Sequence, residues 1–186
     1  MPDISYDILR NASEGDLESF EIIYKAMSGF VYNVAFRIVN NREDAEEVTQ
    51  DVFITIYHQL KGFRFESSFK TWVYRITANT AINFAKKTSK GRNRMTEYNE
   101  QSTPAIAAND VQAKINKEHL DNIVGGLLSA ISPEQRVCVA LRNIEGLSYQ
   151  EIAAILKINI NTVRSRLKRA REKLLTLRRQ VDHGQL

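Results

Sequence analysis

The sequence predicts an all-helical fold, and three features support that class. Apolar residues recur at steps of three and four along several long segments, which is the spacing of one helix face. Two capping boxes, opened by Ser132 and Ser148, mark helix starts. No segment shows the two-residue alternation of a half-buried strand. We therefore expect helices only.

The amino-terminal third predicts two long helices. The first runs from Leu17 to Val39, and the pair Asn40-Asn41 interrupts its pattern. The second carries acidic residues in its first turns, where carboxylates interact favourably with the positive end of the helix dipole. Gly62 ends it. The apolar stripe of this second helix is Ala45, Val48, Val52, Ile56 and Leu60.

A short aromatic loop at residues 63–66 leads to a third helix. Ser67 or Ser68 can cap that helix, which we expect to reach about Lys87. Asn79 and Asn83 are four residues apart and therefore share a face. The buried stripe is expected to include Phe69, Trp72, Val73 and Ile76.

Residues 88–112 predict a linker between two domains. The stretch is rich in Ser, Thr, Asn, Gln and Gly, contains Pro104 and has little apolar periodicity. A loop of that length is unusual inside one compact domain. We therefore place a first domain at residues 1–87 and a second at residues 113–186.

The second domain predicts a helix-turn-helix. One helix is expected around residues 120–131, another after the Ser132 capping box, and a short one after Ser148. A tight connection at residues 157–160 then leads to a last helix, which Asn161 can cap. Its inward face is Val163, Leu167, Ala170 and Leu174. Its outward positions are Arg164, Ser165, Arg166, Lys168, Arg169 and Arg171.

Charge is distributed in four blocks of alternating sign, although the whole chain carries only +4. Residues 1–60 hold 4 basic and 11 acidic side chains, and residues 61–95 hold 9 basic and 1 acidic. Residues 96–163 hold 5 basic and 8 acidic side chains, and residues 164–186 hold 8 basic and 2 acidic. Two separate basic islands on predicted helices favour two contacts with a polyanion over a merely solvated face.

The basic last helix favours DNA binding over an ordinary antiparallel helix pair with a soluble exterior. The first turn of such a helix enters the major groove, where an arginine can pair with O6 and N7 of guanine. Lysines and later arginines hold phosphates, which position a protein without reading sequence.

Four segments resemble the extracytoplasmic-function (ECF) sigma factors, which are specificity subunits of bacterial RNA polymerase. Residues 44–53 (DAEEVTQDVF) are similar to that family's polymerase-binding helix, and residues 69–79 (FKTWVYRITAN) to its segment that reads the minus-10 element. Residues 147–153 (LSYQEIA) and 162–167 (TVRSRL) look like its minus-35 reading domain. The resemblance spans roughly residues 8–178. It implies a second domain of the winged-helix-like, sigma region 4 type.

The resemblance implies roles for three groups of residues. The minus-35 element would be bound by Arg164, Ser165, Lys168 and Arg169, with Arg166 and Arg171 beside them. The minus-10 element would be bound by Phe63, Phe65, Asn79, Asn83, Lys86 and Lys87. Core RNA polymerase would be bound by Asp44, Glu47, Gln50 and Asp51.

The residues assigned to the minus-10 element would have to stabilise bases that leave the duplex when the element melts. An unstacked base regains about 1 to 3 kcal/mol by stacking on an aromatic side chain. Phe63 and Phe65 are interpreted as such a wall, whereas Trp72 is interpreted as a core residue because it lies on the apolar stripe. Asn79 would hydrogen-bond the edge of the base.

The expected function is promoter recognition and melting with core polymerase, and the expected partners are promoter DNA and an anti-sigma factor. A stand-alone helix-turn-helix regulator is the alternative. The sequence lacks a glycine-rich phosphate loop, a nucleophile elbow and a zinc spacing around Cys138, so we expect no enzyme, no cofactor and no metal. No apolar run spans a bilayer, and we expect a cytoplasmic protein without membrane insertion.

Overall fold

The computed structural model describes residues 4–95 and 127–182, with side chains in 4–88 and 127–179. Those residues contain helices and no strand, which confirms the predicted fold class. The α-helices are α1 (Tyr6–Ser13), α2 (Leu17–Val39), α3 (Arg42–Gln59), α4 (Phe69–Met95), α5 (Pro133–Asn143), α6 (Tyr149–Leu156) and α7 (Ile160–Asp182). A 3₁₀ turn at Leu60–Gly62 follows α3, and residues 127–129 are also helical.

The break between α2 and α3 lies at the two asparagines, as predicted. Asn40 takes a left-handed backbone with φ of 59°, which asparagine tolerates better than most residues, and its amide donates to the Phe36 carbonyl at 2.8 Å. Asn41 then caps α3, because its side-chain oxygen accepts a 2.9 Å hydrogen bond from the Asp44 amide. The chain thus ends one helix and starts the next within two residues.

The amino-terminal helices pack as a bundle in which α2 contacts α1, α3 and α4. Large apolar side chains with less than 2% exposure fill its centre, and they are Ile23, Val31, Val34, Ile38, Val48, Val52, Ile56 and Val73. Helix α1 was not predicted. Its signals are weak but present: Ser5 caps it by accepting from the Ile8 amide, and Leu9 and Ala12 are buried three residues apart.

Helix α4 is longer than predicted. Ser68 caps it, since its hydroxyl accepts a 3.1 Å hydrogen bond from the Thr71 amide. The helix continues through Met95 rather than ending near Lys87, so the first residues of the expected linker are helical. The rest of that linker, and most of the helix expected around residues 120–131, lie outside the described residues.

In the described part of the carboxyl-terminal half, α7 packs against α5 and α6. Ser132 opens α5 with a complete capping box, in which the Gln135 side chain accepts from the Ser132 amide at 2.9 Å. Residues 127–182 contain no strand, so this described range has no wing beside its helix-turn-helix.

The two halves pack directly on each other. Helix α5 contacts both α2 and α4, and α6 contacts α4. Val137, Cys138 and Leu141 of α5 are fully buried and belong to the same apolar cluster as the core of the amino-terminal bundle. One continuous core therefore runs through both predicted domains.

Candidate nucleic-acid interface

The turn of the helix-turn-helix is set by its caps. At the start of α6 the Ser148 hydroxyl accepts from the Glu151 amide at 3.2 Å, and the Glu151 carboxylate accepts from the Ser148 amide at 2.7 Å. The Ser148 hydroxyl and the Ser148 backbone amide lower the pKa of the Glu151 carboxyl by hydrogen bonding to it. Lys157 ends α6 in a left-handed conformation with φ of 51°. The chain therefore turns sharply after one short helix.

Asn159, and not Asn161, caps α7. The Asn159 side-chain oxygen accepts a 2.8 Å hydrogen bond from the Asn161 amide, and its carbonyl accepts from the Thr162 amide at 2.9 Å. The prediction was wrong by two residues because both asparagines precede the apolar stripe and either can serve as a cap. The correction places Asn161 inside the first turn of α7.

The inward face of α7 agrees with the sequence prediction. Val163 and Ala170 are fully buried, while Leu167 and Leu174 are partly buried. On the other side of the helix, four of the six residues predicted to face DNA are exposed. They are Arg164, Lys168, Arg169 and Arg171.

Ser165 and Arg166 are less accessible than the sequence interpretation assumed. Both are partly buried, and the Ser165 hydroxyl donates back to the Thr162 carbonyl at 3.0 Å. The thiol of Cys138 in α5 has a raised pKa because it is buried, and the nearby Arg166 guanidinium opposes that rise. Arg166 thus faces α5 as well as solvent, and the exposed pair on the first turns is Arg164 and Lys168.

Arg164 is already oriented by a neighbour. Its guanidinium Nη1 donates a 3.1 Å hydrogen bond to the side-chain oxygen of Asn161, one turn earlier on α7. A long arginine side chain loses rotamer freedom when it binds, so a contact that restricts it beforehand reduces that cost. Asn161 had only a capping role in the sequence interpretation and is a residue that it missed.

Phe63 and Phe65 belong to the same aromatic loop but differ in their exposure. Phe63 is partly buried against the core, with ring centroids 5.1 Å from Trp72 and 5.7 Å from Phe69. Phe65 is 47% exposed, lies beside Tyr6 with ring centroids 4.8 Å apart and the rings tilted, and has a left-handed backbone with φ of 57°. Trp72 is 7% exposed, which confirms the core interpretation. Phe65 is the accessible ring of this loop. Phe63 contacts it from the side of the core, with ring centroids 4.6 Å apart.

The polar face of α4 is accessible. Asn79 and Asn83 are both exposed, as are Lys86 and Lys87. The neighbouring Ala78, Ala81 and Ile82 are buried, so the helix presents its amides and ammonium groups on one side only. Lys86 is also engaged in an ion pair with Glu134 at 2.8 Å.

The acidic face of α3 continues into an apolar one. Glu47, Gln50 and Asp51 are exposed and Asp44 is partly buried. Ile54 and Tyr57 follow Gln50 at steps of four and three, and they are 56% and 42% exposed. The sequence interpretation missed this apolar extension, although the i, i+4, i+7 spacing from Gln50 would have indicated it.

The described residues contain no grouping suited to metal binding: in 4–95 and 127–182 no three His, Cys, Asp or Glu side chains converge. None of the described helices is both long and apolar enough to cross a membrane.

Family models match both halves of the chain. Residues 23–91 match the model for sigma-70 region 2, and residues 122–174 match the model for sigma-70 region 4. The first match includes the polar face of α4, and the second includes α5, α6 and most of α7.

Relatives match over most of their length. The ECF RNA polymerase sigma-E factor of Haemophilus influenzae is 33% identical over 173 residues, covering 89% of this chain and 90% of that protein. The sigma-E factor of Escherichia coli K12 is 32% identical over 171 residues, with 89% of each chain covered.

Solved structures share the fold. CnrH, determined in complex with the cytosolic domain of CnrY, has a TM-score of 0.62 at 23% identity and covers 94% of this chain and 97% of its own. The sigma factor RpoE of Bartonella quintana, in complex with the anti-sigma factor NepR, has a TM-score of 0.61 at 23% identity, covering 87% and 98%. The chain belongs to the ECF RNA polymerase sigma factors.

Proposed function

We propose that this protein binds core RNA polymerase, directs it to promoters with minus-10 and minus-35 elements, and helps to melt the DNA. One observation carries the proposal: the chain has two basic helices with exposed polar faces. The first lies in the segment that matches region 2 and the second in the segment that matches region 4. A sigma factor needs both faces because polymerase tethers them to one DNA molecule and makes the second contact effectively intramolecular.

The minus-35 element is assigned to α7. Arg164 and Lys168 lie in the amino-terminal half of α7, the part of a recognition helix that meets base edges in the major groove. Arg164 would pair with guanine in a bidentate way, while Lys168, Arg169 and Arg171 would hold phosphates. Ser165 and Arg166 are assigned supporting contacts at the edge of that face, since both are partly buried.

The minus-10 element is assigned to α4 and the loop before it. Asn79 and Asn83 offer hydrogen-bonding groups for an extruded base, and Lys86 and Lys87 offer charge for the backbone. Phe65 is the ring on which that base would stack, with Phe63 as its support.

Core polymerase is assigned to the exposed face of α3. Asp44, Glu47, Gln50 and Asp51 supply its acidic part, and the adjacent Ile54 and Tyr57 supply apolar area. An interface needs both, because charge complementarity guides association while buried apolar side chains provide most of the affinity.

The remaining assignments follow from the same role. We assign the chain no catalytic step of its own, no cofactor and a location in the cytoplasm, where the polymerase acts. An anti-sigma factor is an expected partner, and the names of two structural relatives describe complexes with such a protein or with a cytosolic domain. The domain limits at residues 1–87 and 113–186 stay a prediction.

In vitro transcription tests the proposal. Purified core polymerase is given a library of promoter DNA with and without the full chain, and transcript starts are sequenced. We expect specific starts only in the presence of the chain. A variant carrying Asp51→Lys and Glu47→Lys should fail to support them because it no longer binds core polymerase. The matched control is Glu14→Lys with Glu18→Lys, which makes the same charge change just after α1 and in the first turn of α2.

Two results would contradict the proposal. Starts that do not depend on the chain would remove the initiation role. Tight and selective binding of the chain alone to a DNA duplex, with no effect of polymerase, would instead favour a stand-alone regulator.

A further inference from the structure

Four aromatic rings form a series that runs from the core of the amino-terminal bundle to its surface. Ring centroids are 5.1 Å apart for Trp72 and Phe63, 4.6 Å apart for Phe63 and Phe65, and 4.8 Å apart for Phe65 and Tyr6. Exposure rises along the series, from 7% for Trp72 to 47% for Phe65 and 59% for Tyr6. Tyr6 of α1 is therefore the outermost of these rings, and the function proposed above gives it no role.

Helix α1 holds Tyr6 in place beside the aromatic loop. Ser5 caps the helix, and Leu9 and Ala12 anchor it because both are buried. The helix contacts α2 and the 3₁₀ turn at Leu60–Gly62, which leads directly into the loop. The match to the region 2 model begins at residue 23, so α1 lies outside it. The position of Tyr6 is thus set by packing and is not explained by the matched region.

The neighbour of Tyr6 in the series, Phe65, has a strained backbone. Its φ of 57° places it in the left-handed region, which is unfavourable for a residue with a bulky side chain. The contacts of its ring with Phe63 and Tyr6 offset part of that cost. Strained residues that are held by their surroundings cluster at binding sites. The pair of Tyr6 and Phe65 is therefore better explained as a preformed binding surface than as incidental packing.

The surroundings of this pair favour single-stranded nucleic acid as the ligand. The loop belongs to residues 61–95, which hold 9 basic and 1 acidic side chains, and its Lys61 and Arg64 are exposed. Asp7 follows Tyr6 in the chain but is turned about 100° around α1 from it. Proteins that bind single strands combine such cations with aromatic rings on which successive bases stack. Two adjacent, half-exposed rings fit two successive unpaired bases.

We propose that Tyr6 is a further base-contacting residue of the minus-10 site, and that its ring stacks on the unpaired base next to the one that stacks on Phe65. The proposal rests on the function proposed above and deepens it, because it brings α1 into the surface that binds the melted strand. Stacking uses the aromatic ring and not the hydroxyl, so Tyr6→Phe should preserve the contact.

Binding to a promoter that is already open tests the contact directly. The DNA is a duplex with minus-10 and minus-35 elements in which the minus-10 segment is left unpaired, so that melting does not limit binding. It is titrated with the complex of core polymerase and the full chain. We expect Tyr6→Ala to weaken binding about tenfold, which lies in the range for one stacked base. Tyr6→Phe and Tyr6→Trp should bind within about twofold of the unchanged chain.

Abasic sites show whether Tyr6 touches a base or only holds the loop. A series of these DNAs carries one abasic position at a time across the unpaired segment. At the position of the contacted base, the unchanged chain and Tyr6→Ala should bind equally, because the contact is already lost. Phe65→Ala should lose its effect in the same way at an adjacent position. A ring that only holds the loop would instead give the same difference on every DNA of the series.

The matched control is Ile22→Ala, which removes an exposed apolar side chain of α2 that is assigned no contact with DNA. It should bind like the unchanged chain, and circular dichroism confirms the helical content of each variant. Equal binding by Tyr6→Ala and the unchanged chain, or a loss that is the same at every abasic position, would overturn the proposal while the promoter function stands.

Two further outcomes are separable from these. If Tyr6→Ala lowers the affinity for core polymerase and leaves DNA binding by the assembled complex unchanged, Tyr6 belongs to a protein interface and the proposal is overturned. If the unchanged complex does not bind the open promoter at all, the proposed function itself is contradicted, and the role of Tyr6 is contradicted with it.

Discussion

The ammonium of Lys86 and the carboxylate of Glu134 are 2.8 Å apart and belong to different halves of the chain. Lys86 follows the exposed Asn79 and Asn83 along α4, whereas Glu134 lies in the first turn of α5. One ion pair therefore connects the face assigned to the minus-10 element with the scaffold of the helix-turn-helix. Either partner can be altered alone, and the two changes have different expected consequences.

Lys86→Ala should weaken DNA binding by the polymerase complex to a similar extent on all promoter sequences. A phosphate contact releases about one counterion, so the slope of log affinity against log salt should become shallower by about 0.7 to 0.9. Binding titrations at several salt concentrations measure this slope. Lys25→Ala, which removes a lysine paired with Glu21 within α2, is the control. A loss confined to some promoter sequences would contradict the phosphate assignment.

Glu134→Gln should reduce the loss of stability on acidification. Burial by itself raises the pKa of the Glu134 carboxyl, but hydrogen bonds from Lys86 and the helix start outweigh it and bring the pKa below the usual 4.5. A lowered pKa contributes stability above pH 4.5 and loses it as the pH falls through the folded-state value. Thermal melting at pH 6 and pH 3.5 measures the difference. An equal fall in melting temperature for both proteins would contradict this expectation.

Asn79→Ala should leave binding to core polymerase unchanged and impair formation of the open complex. Its amide is assigned to the edge of an extruded base, whereas the surface assigned to polymerase lies on another helix, α3. Permanganate reactivity of unpaired thymines reports melting, and co-elution with core polymerase reports binding. Asn11→Ala, at an exposed position of α1, is the matched control. If Asn79→Ala abolishes polymerase binding, the face of α4 has been misassigned.

Arg164→Ala should lower discrimination at the minus-35 element. A bidentate contact with guanine separates the right base from the wrong one by about 1 to 3 kcal/mol, or about 5- to 160-fold in affinity. Competition between promoters that differ at single minus-35 positions measures the ratio. Arg179→Ala removes the same charge near the far end of α7 and should not change the ratio. If Arg164→Ala weakens binding equally on every promoter, Arg164 contacts a phosphate and not a base.

Much of the fold could be predicted because its signals are local. The spacing of apolar residues predicted α2 and α3, and the serines at 132 and 148 form the capping boxes that their sequence context indicated. A cap joins residues three apart, so a short sequence window contains everything that determines it. The family follows in the same way, because its motifs are short segments in a fixed order.

The errors have physical reasons as well. Helix α4 passes its predicted end because a polar composition does not stop a helix, and no proline follows until Pro104. Phe63 and Phe65 are two residues apart in one loop, and only their three-dimensional packing separates the supporting ring from the exposed one. The Arg136 guanidinium donates a hydrogen bond to the carbonyl of Ile38, 98 residues away, and no local pattern can connect the two.

The continuous core has a consequence for how the protein unfolds. Two domains connected only by a linker would melt as independent units, each with its own enthalpy and midpoint. Here the buried side chains of α5 pack against α2 and α4. Removing the carboxyl-terminal half would therefore expose the apolar side chains of α2 and α4 that α5 covers. We therefore expect the chain to unfold as a single thermodynamic unit, so that a substitution in either half lowers the stability of both.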